Sequence, residues 1–101
     1  MKIINFPFCN FFSFQRYLEI RSISYSILSE SNPPESIEEF IVIPGVGTFG
    51  QAMDFLSKKN LIPIVKSHFQ NGGNLLGICL GMQLLFDSSD EAKDVDGLGI
   101  I

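Results

Sequence analysis

An α/β fold, with a mostly parallel sheet flanked by helices in three layers, is what the hydrophobic patterning of this 101-residue chain predicts. Three observations carry the prediction. Phe40-Ile41-Val42-Ile43 and Leu75-Leu76-Gly77-Ile78 are continuous apolar runs, as expected of strands buried on both faces. Each run gives way to a glycine-rich turn, at 44–47 and 77–81. A helical period follows each turn, which is the alternation of a parallel sheet with crossover helices.

Along the chain, residues 2–4 form a short apolar opening strand that Pro7 interrupts. From Asn10, a reasonable N-cap, the period lengthens: Phe11, Phe14 and Leu18 share one helical face while Gln15, Arg16 and Glu19 face water. Ile23, Tyr25 and Ile27 alternate with serines, which predicts a half-exposed second strand. Ser29-Glu30-Ser31-Asn32-Pro33-Pro34-Glu35-Ser36 reads as a loop. The run at 40–43 is the next strand, and Thr48 leads into a helix near 49–59 that carries Met53 as a packing residue. Pro63 suits the first turn of a further helix, ended by Asn71-Gly72-Gly73. After the strand at 75–78 a short helix carries Leu80 and Leu84 on one face and gives out near Asp87-Ser88-Ser89. Asp87, Asp90, Glu91, Asp94 and Asp96 read as a solvated acidic turn, because they lack the residue spacing of a calcium loop. Residues 97–101 resemble the approach to another strand. A sheet that stops there leaves an edge uncovered, so the expectation is the amino-terminal part of a single larger domain, with 1–101 all within it.

Composition narrows the classes of function. Apolar residues make up 46%, ten of them Phe, too many for a disordered chain. A net charge of −4 and the lack of a Lys/Arg cluster argue against nucleic acid as a partner. Apolar runs of about four to six residues are too short to span a bilayer, and no signal-peptide pattern opens the chain. Cys9 and Cys79, 70 positions apart, form neither a Cys-x-x-Cys pair nor a disulfide framework, which suggests a cytoplasmic setting. A single histidine gives no metal site, and no cofactor is expected.

The chemistry concentrates in Gly77-Ile78-Cys79-Leu80-Gly81-Met82-Gln83. Small residues two before and two after Cys79 permit a sharp strand-to-helix turn that presents the side chain at the top of a sheet. Glycine suits such a turn because neighbouring backbone crowds it. A thiol at a helix amino terminus is also biased toward thiolate by the helix dipole and unpaired N–H groups. The Leu80 N–H would point where a tetrahedral oxyanion forms. On spacing alone, the same pattern also suits a buried cysteine in a tight turn. Cys9, after Pro7-Phe8, lacks this context and reads as packed and unreactive.

The second turn, Pro44-Gly45-Val46-Gly47-Thr48-Phe49-Gly50, is no Walker loop, because no Gly-Lys-Ser/Thr follows. Gly45-x-Gly47-x-x-Gly50 matches the dinucleotide spacing only loosely, with a proline before it and no clear acidic ribose partner. A backbone N–H offered beside Cys79 is one use for this turn; a purely structural turn is the other.

Together, 43–53 (Ile-Pro-Gly-Val-Gly-Thr-Phe-Gly-Gln-Ala-Met) and 77–86 (Gly-Ile-Cys-Leu-Gly-Met-Gln-Leu-Leu-Phe) resemble the class I, or triad, glutamine amidotransferases. Within that family the resemblance is strongest to the glutaminase subunits that serve imidazole glycerol phosphate synthases, and it runs from about residue 38 onward. It implies a flavodoxin-like three-layer domain. It also implies that Cys79 attacks the side-chain amide of glutamine, with Gly47 and Leu80 donating N–H groups to the oxyanion and Gly45 and Gln83 holding the substrate. The implied partner is a (β/α)8-barrel synthase subunit that receives the ammonia for histidine biosynthesis.

Two departures accompany the resemblance. The family's base, a histidine with a carboxylate two residues on, belongs to the second half of a domain roughly twice this length. The one histidine here, His68, precedes Cys79 and reads as a partly exposed helix residue, so the chain alone is expected to have little activity. After the first strand, the family's Asp-Tyr-Gly-x-Gly-Asn stands as Asn5-Phe6-Pro7-Phe8-Cys9-Asn10. Without its glycines this loop should differ in shape, which leaves ammonia supply for sugar amidation in surface polysaccharide, or a non-catalytic interaction remnant, as alternatives.

Overall fold

The computed structural model describes residues 1–8, 11–45, 48–78, 88–89 and 92–99. Strands β1 (Lys2–Ile3), β2 (Ser26–Ile27), β3 (Ile41–Ile43) and β4 (Leu75–Gly77) form one parallel sheet in the order β2-β1-β3-β4. Helix α1 (Phe11–Ile20) lies between β1 and β2 in sequence. Helices α2 (Phe49–Lys58) and α3 (Ile62–Gln70) lie between β3 and β4. Strands β5 (Ser88–Ser89) and β6 (Ala92–Asp96) pair antiparallel in a separate ribbon.

Strand alternation divides the core into two. On one side of the sheet, Ile4, Ile41 and Ile43 join Phe49, Ala52, Met53 and Leu56 of α2 and Val65 of α3, with Leu75 against them. On the other, Ile3 and Val42 meet Leu18 of α1, flanked by Phe11 and Phe14. All three residues of β3 are therefore buried, as the continuous run predicted, although Phe40 at its start stands outside the strand and is exposed. These are the three layers of an α/β sandwich, with α1 on one face and α2 and α3 on the other.

The helix ends follow local chemistry. Thr48, in extended conformation, accepts from the Gln51 N–H at 3.2 Å through its hydroxyl and so caps α2. Pro63 occupies the first turn of α3, where its missing N–H costs nothing. At their carboxyl ends all three helices close in the same way. Ile23 N–H reaches Leu18 O, Leu61 N–H reaches Leu56 O and Gly73 N–H reaches His68 O, at 2.9, 2.9 and 2.8 Å. The residue before each donor, Ser22, Asn60 and Gly72, has positive φ, as this capping motif requires.

Several expectations change. Only Ser26–Ile27 of the proposed 23–27 strand enters the sheet, and Ile23 is exposed, because its N–H is spent on capping α1. The strand at 75–78 is not buried on both faces: among the described residues β4 is the outermost strand, and Leu76 and Ile78 are exposed. Of the acidic residues, Asp94 and Asp96 lie in β6 of the ribbon rather than in a turn, since backbone pairing does not depend on an apolar period, and Asp87, Asp90 and Glu91 lie outside the described residues. Residues 97–99 form no strand, yet Leu98 is fully buried in the larger core. Asn10 and the helix expected after Cys79 lie outside the described residues.

Candidate active site

The site is organised by the pairing of β3 with β4. Ile41, Val42 and Ile43 stand opposite Leu75, Leu76 and Gly77, and the Ile78 N–H donates to the Ile43 carbonyl at 3.0 Å. The next residue along β3 is Pro44, which cannot donate to a ladder and ends the strand. The next residue after Ile78 is Cys79. Both glycine-rich turns thus leave the sheet side by side from its carboxyl edge, at the spacing of neighbouring strands, about 4.8 Å. That edge is where open α/β sheets bind ligands.

Of the five candidate residues, the structure describes Gly45, half-buried directly after Pro44. Gly47, Cys79, Leu80 and Gln83 lie outside the described residues, as do Cys9 and Met82. Phe49, the first residue of α2, is fully buried, and with the Thr48 cap it fixes where the 44–48 segment must end. The turn is therefore anchored at both sides, by the β3 ladder before it and by the α2 cap after it.

The loop after β1 reaches the same edge. Phe6 is fully buried, stacks on Phe8 at 5.2 Å between ring centroids and meets Phe55 of α2 edge-on at 5.3 Å. The altered loop is thus held by an aromatic cluster that sequence reading did not anticipate. The signal was the Phe-x-Phe pair directly after a strand.

His68 departs from expectation. It is 7% exposed, not a partly exposed helix residue, and its ring packs against Gly73 so closely that a β-carbon there would overlap it. Its Nε2 is buried and has no hydrogen-bond partner among the described residues. Met53 packs in the larger core, as expected.

Charge gathers at the opposite, amino edge of the sheet. Lys2 Nζ donates to Ser26 Oγ at 2.8 Å and Asn32 Oδ1 at 2.9 Å and lies 3.9 Å from Glu39 Oε1; the terminal ammonium is 3.4 Å from Glu39 Oε2. The Glu39 carboxyl is held below its ordinary range, chiefly by the Glu35 N–H it accepts, then by Lys2 and the terminus, against the opposing effect of burial. A surface cleft between Pro33–Ile37 and α3, bordered by His68, is lined by none of the five candidate residues. Among the described residues no group of three or more His, Cys, Asp or Glu suits a metal ion, and no helix is long and apolar enough to cross a membrane.

The family model for glutamine amidotransferase class-I matches residues 9–93. Imidazole glycerol phosphate synthase subunit HisH of Bacillus cereus (strain B4264) is 40% identical over 100 residues, covering 98% of this chain and 47% of that protein. The proteins of the same name from Aquifex aeolicus (strain VF5) and Bacillus subtilis (strain 168) are 37% and 39% identical, again over 98% of this chain and over 48% and 46% of theirs. The chain thus spans about half the length of the curated relatives it matches.

Proposed function

Since the chain belongs to the class I glutamine amidotransferase family, we propose that it forms the nucleophile-bearing, amino-terminal part of a glutaminase that supplies ammonia to a synthase. The observation that carries this reading is the β3–β4 register, which starts the 44–48 turn and the Cys79 turn from adjacent positions. In the reaction, Cys79 Sγ adds to the amide carbon of bound glutamine. Backbone N–H groups of Gly47 and Leu80 hold the oxyanion, while Gly45 and Gln83 position the substrate. Collapse breaks the C–N bond, the nitrogen leaves as ammonia after taking a proton, and a thioester remains. Water then cleaves the thioester to glutamate. In this reading the proton transfers fall to the histidine–carboxylate pair that the family resemblance implies, and not to His68, which lies in α3 with its Nε2 buried.

The relatives' name, a subunit of imidazole glycerol phosphate synthase, supports a partner synthase subunit, and the proposed setting is histidine biosynthesis in the cytoplasm. A (β/α)8 barrel is the proposed form of that partner. No cofactor enters the chemistry. The test is a chimera of residues 1–101 followed by the remainder of the Bacillus subtilis relative. It should release ammonia from glutamine and lose more than about a thousandfold of that rate on Cys79→Ala. Turnover insensitive to C79A would contradict the assignment.

A further inference from the structure

The amino edge of the sheet carries a cleft that the five candidate residues do not line. The 33–37 loop leads toward β3 and the end of α3 leads toward β4, and an open cleft of about 450 Å3 lies between them. At this edge the Ile41 N–H donates to the Asn74 carbonyl at 3.1 Å. The volume is that of a small-molecule site. Its walls are apolar, from Pro33, Pro34, Ile37, Pro63 and Ile64, and among the described residues no Lys, Arg, Asp or Glu lines it.

Both walls are braced by bonds of their own. Glu39 Oε1 holds the Glu35 N–H at 2.9 Å, and Ser36 Oγ holds the Glu38 N–H at 3.2 Å. On the helix side, Asn71 Nδ2 donates to Ser67 Oγ at 3.3 Å. Each serine oxygen accepts in these bonds, which leaves its O–H to donate. His68 adds an independent observation. It borders the cleft, is 7% exposed, and its Nε2 is buried with no partner among the described residues. A β-carbon built at Gly73 would stand nearly equidistant from Nε2, Cδ2 and Cε1. Gly73 therefore covers the face of the ring and does not stand in line with Nε2. A half-turn about the Cβ–Cγ bond keeps that plane and moves the ring nitrogens, so binding can reorient them without disturbing the packing. A buried polar atom without a partner is costly, and native structures keep few of them.

We propose that this cleft binds a small uncharged ligand with an apolar body and an amide group. The amide carbonyl accepts from a serine O–H. The imidazole is matched in either tautomer, because an amide both donates and accepts. A charged ligand would lose hydration without meeting a counter-charge.

The test is titration of the 101-residue chain with benzamide, followed by the imidazole 15N signals, which belong to His68 alone because the chain has one histidine. Saturable shifts in the millimolar range are expected there and at the backbone amides of 35–37 and 64–71. Benzoate, of the same shape but charged, and toluene, without the amide, should each bind at least about tenfold more weakly. His68→Leu should weaken benzamide about tenfold. Ile37→Ser, at a wall residue that is half exposed, should weaken it about threefold. The chimera, with its His68 signals identified by their loss in His68→Leu, should show the same affinity. Shifts that do not saturate, benzoate or toluene binding as tightly as benzamide, or an affinity that neither substitution changes overturn the proposal. So does a chimera that binds no benzamide. Glutamine, a zwitterion, should not compete; competition would assign the shifts to a glutamine pocket and contradict the cleft.

Discussion

Gly73 has room for a hydrogen and nothing larger, because the His68 ring fills the space a β-carbon would need. Gly73→Ala should therefore lower stability by about 1–3 kcal/mol, the usual cost of overpacking, read as a lower urea midpoint at unchanged slope. His68→Leu should stay within about 1 kcal/mol of the parent or exceed it, since it removes a buried nitrogen that has no partner among the described residues. Glu39 makes a pH-dependent contribution. Its folded-state pKa lies below the ordinary 4.5, so the stabilisation is fully present above that value and fades as the pH falls through the lowered one. The stability difference between the parent and Glu39→Gln should be flat near neutrality and vanish in acid. A difference that grows on acidification would contradict the assigned ion pairs.

Elements defined by local chemistry were legible in the sequence, and those defined by neighbours were not. Thr48, Pro63 and Gly72 announce helix ends because capping needs only nearby backbone, and α2 starts, and α3 starts and stops, where these residues place them. Burial of β4 was overestimated because an apolar run does not reveal whether its strand is central or at an edge. The exposure of His68 was misjudged for a similar reason: its cover comes from Gly73, across a turn. The β5–β6 ribbon carries no apolar alternation to read. Two predictions belong to the caps. Thr48→Ala should cost about 1 kcal/mol by leaving the Gln51 N–H without its acceptor. Ser22→Gly should gain roughly 0.5–1 kcal/mol, because Ser22 sits at φ 55° where glycine is unstrained. Thermal unfolding of the two variants checks both signs.

Over the whole molecule, the parallel strands in the order β2-β1-β3-β4 set the edge from which the glycine-rich turns leave. The crossover reverses beside β1, so the loop after β1 and the turns after β3 and β4 share the carboxyl edge. The two glycine-rich motifs were visible in the sequence as pieces of one site, but their adjacency depends on the parallel register that places Ile43 opposite Gly77. Of the aromatic cluster, the Phe6/Phe8 pair stood in the sequence as a signal, but its contact with Phe55 did not, because that joins residues some fifty positions apart. The most direct measurement is peptide mapping after treatment with a γ-glutamyl diazoketone, an electrophilic analogue of glutamine, in the chimera and its Cys79→Ala variant. The label should fall on Cys79 and not Cys9, and free glutamine should slow it. Equal labelling of both cysteines, or labelling that glutamine leaves unchanged, would contradict the assignment of Cys79 as a nucleophile facing glutamine.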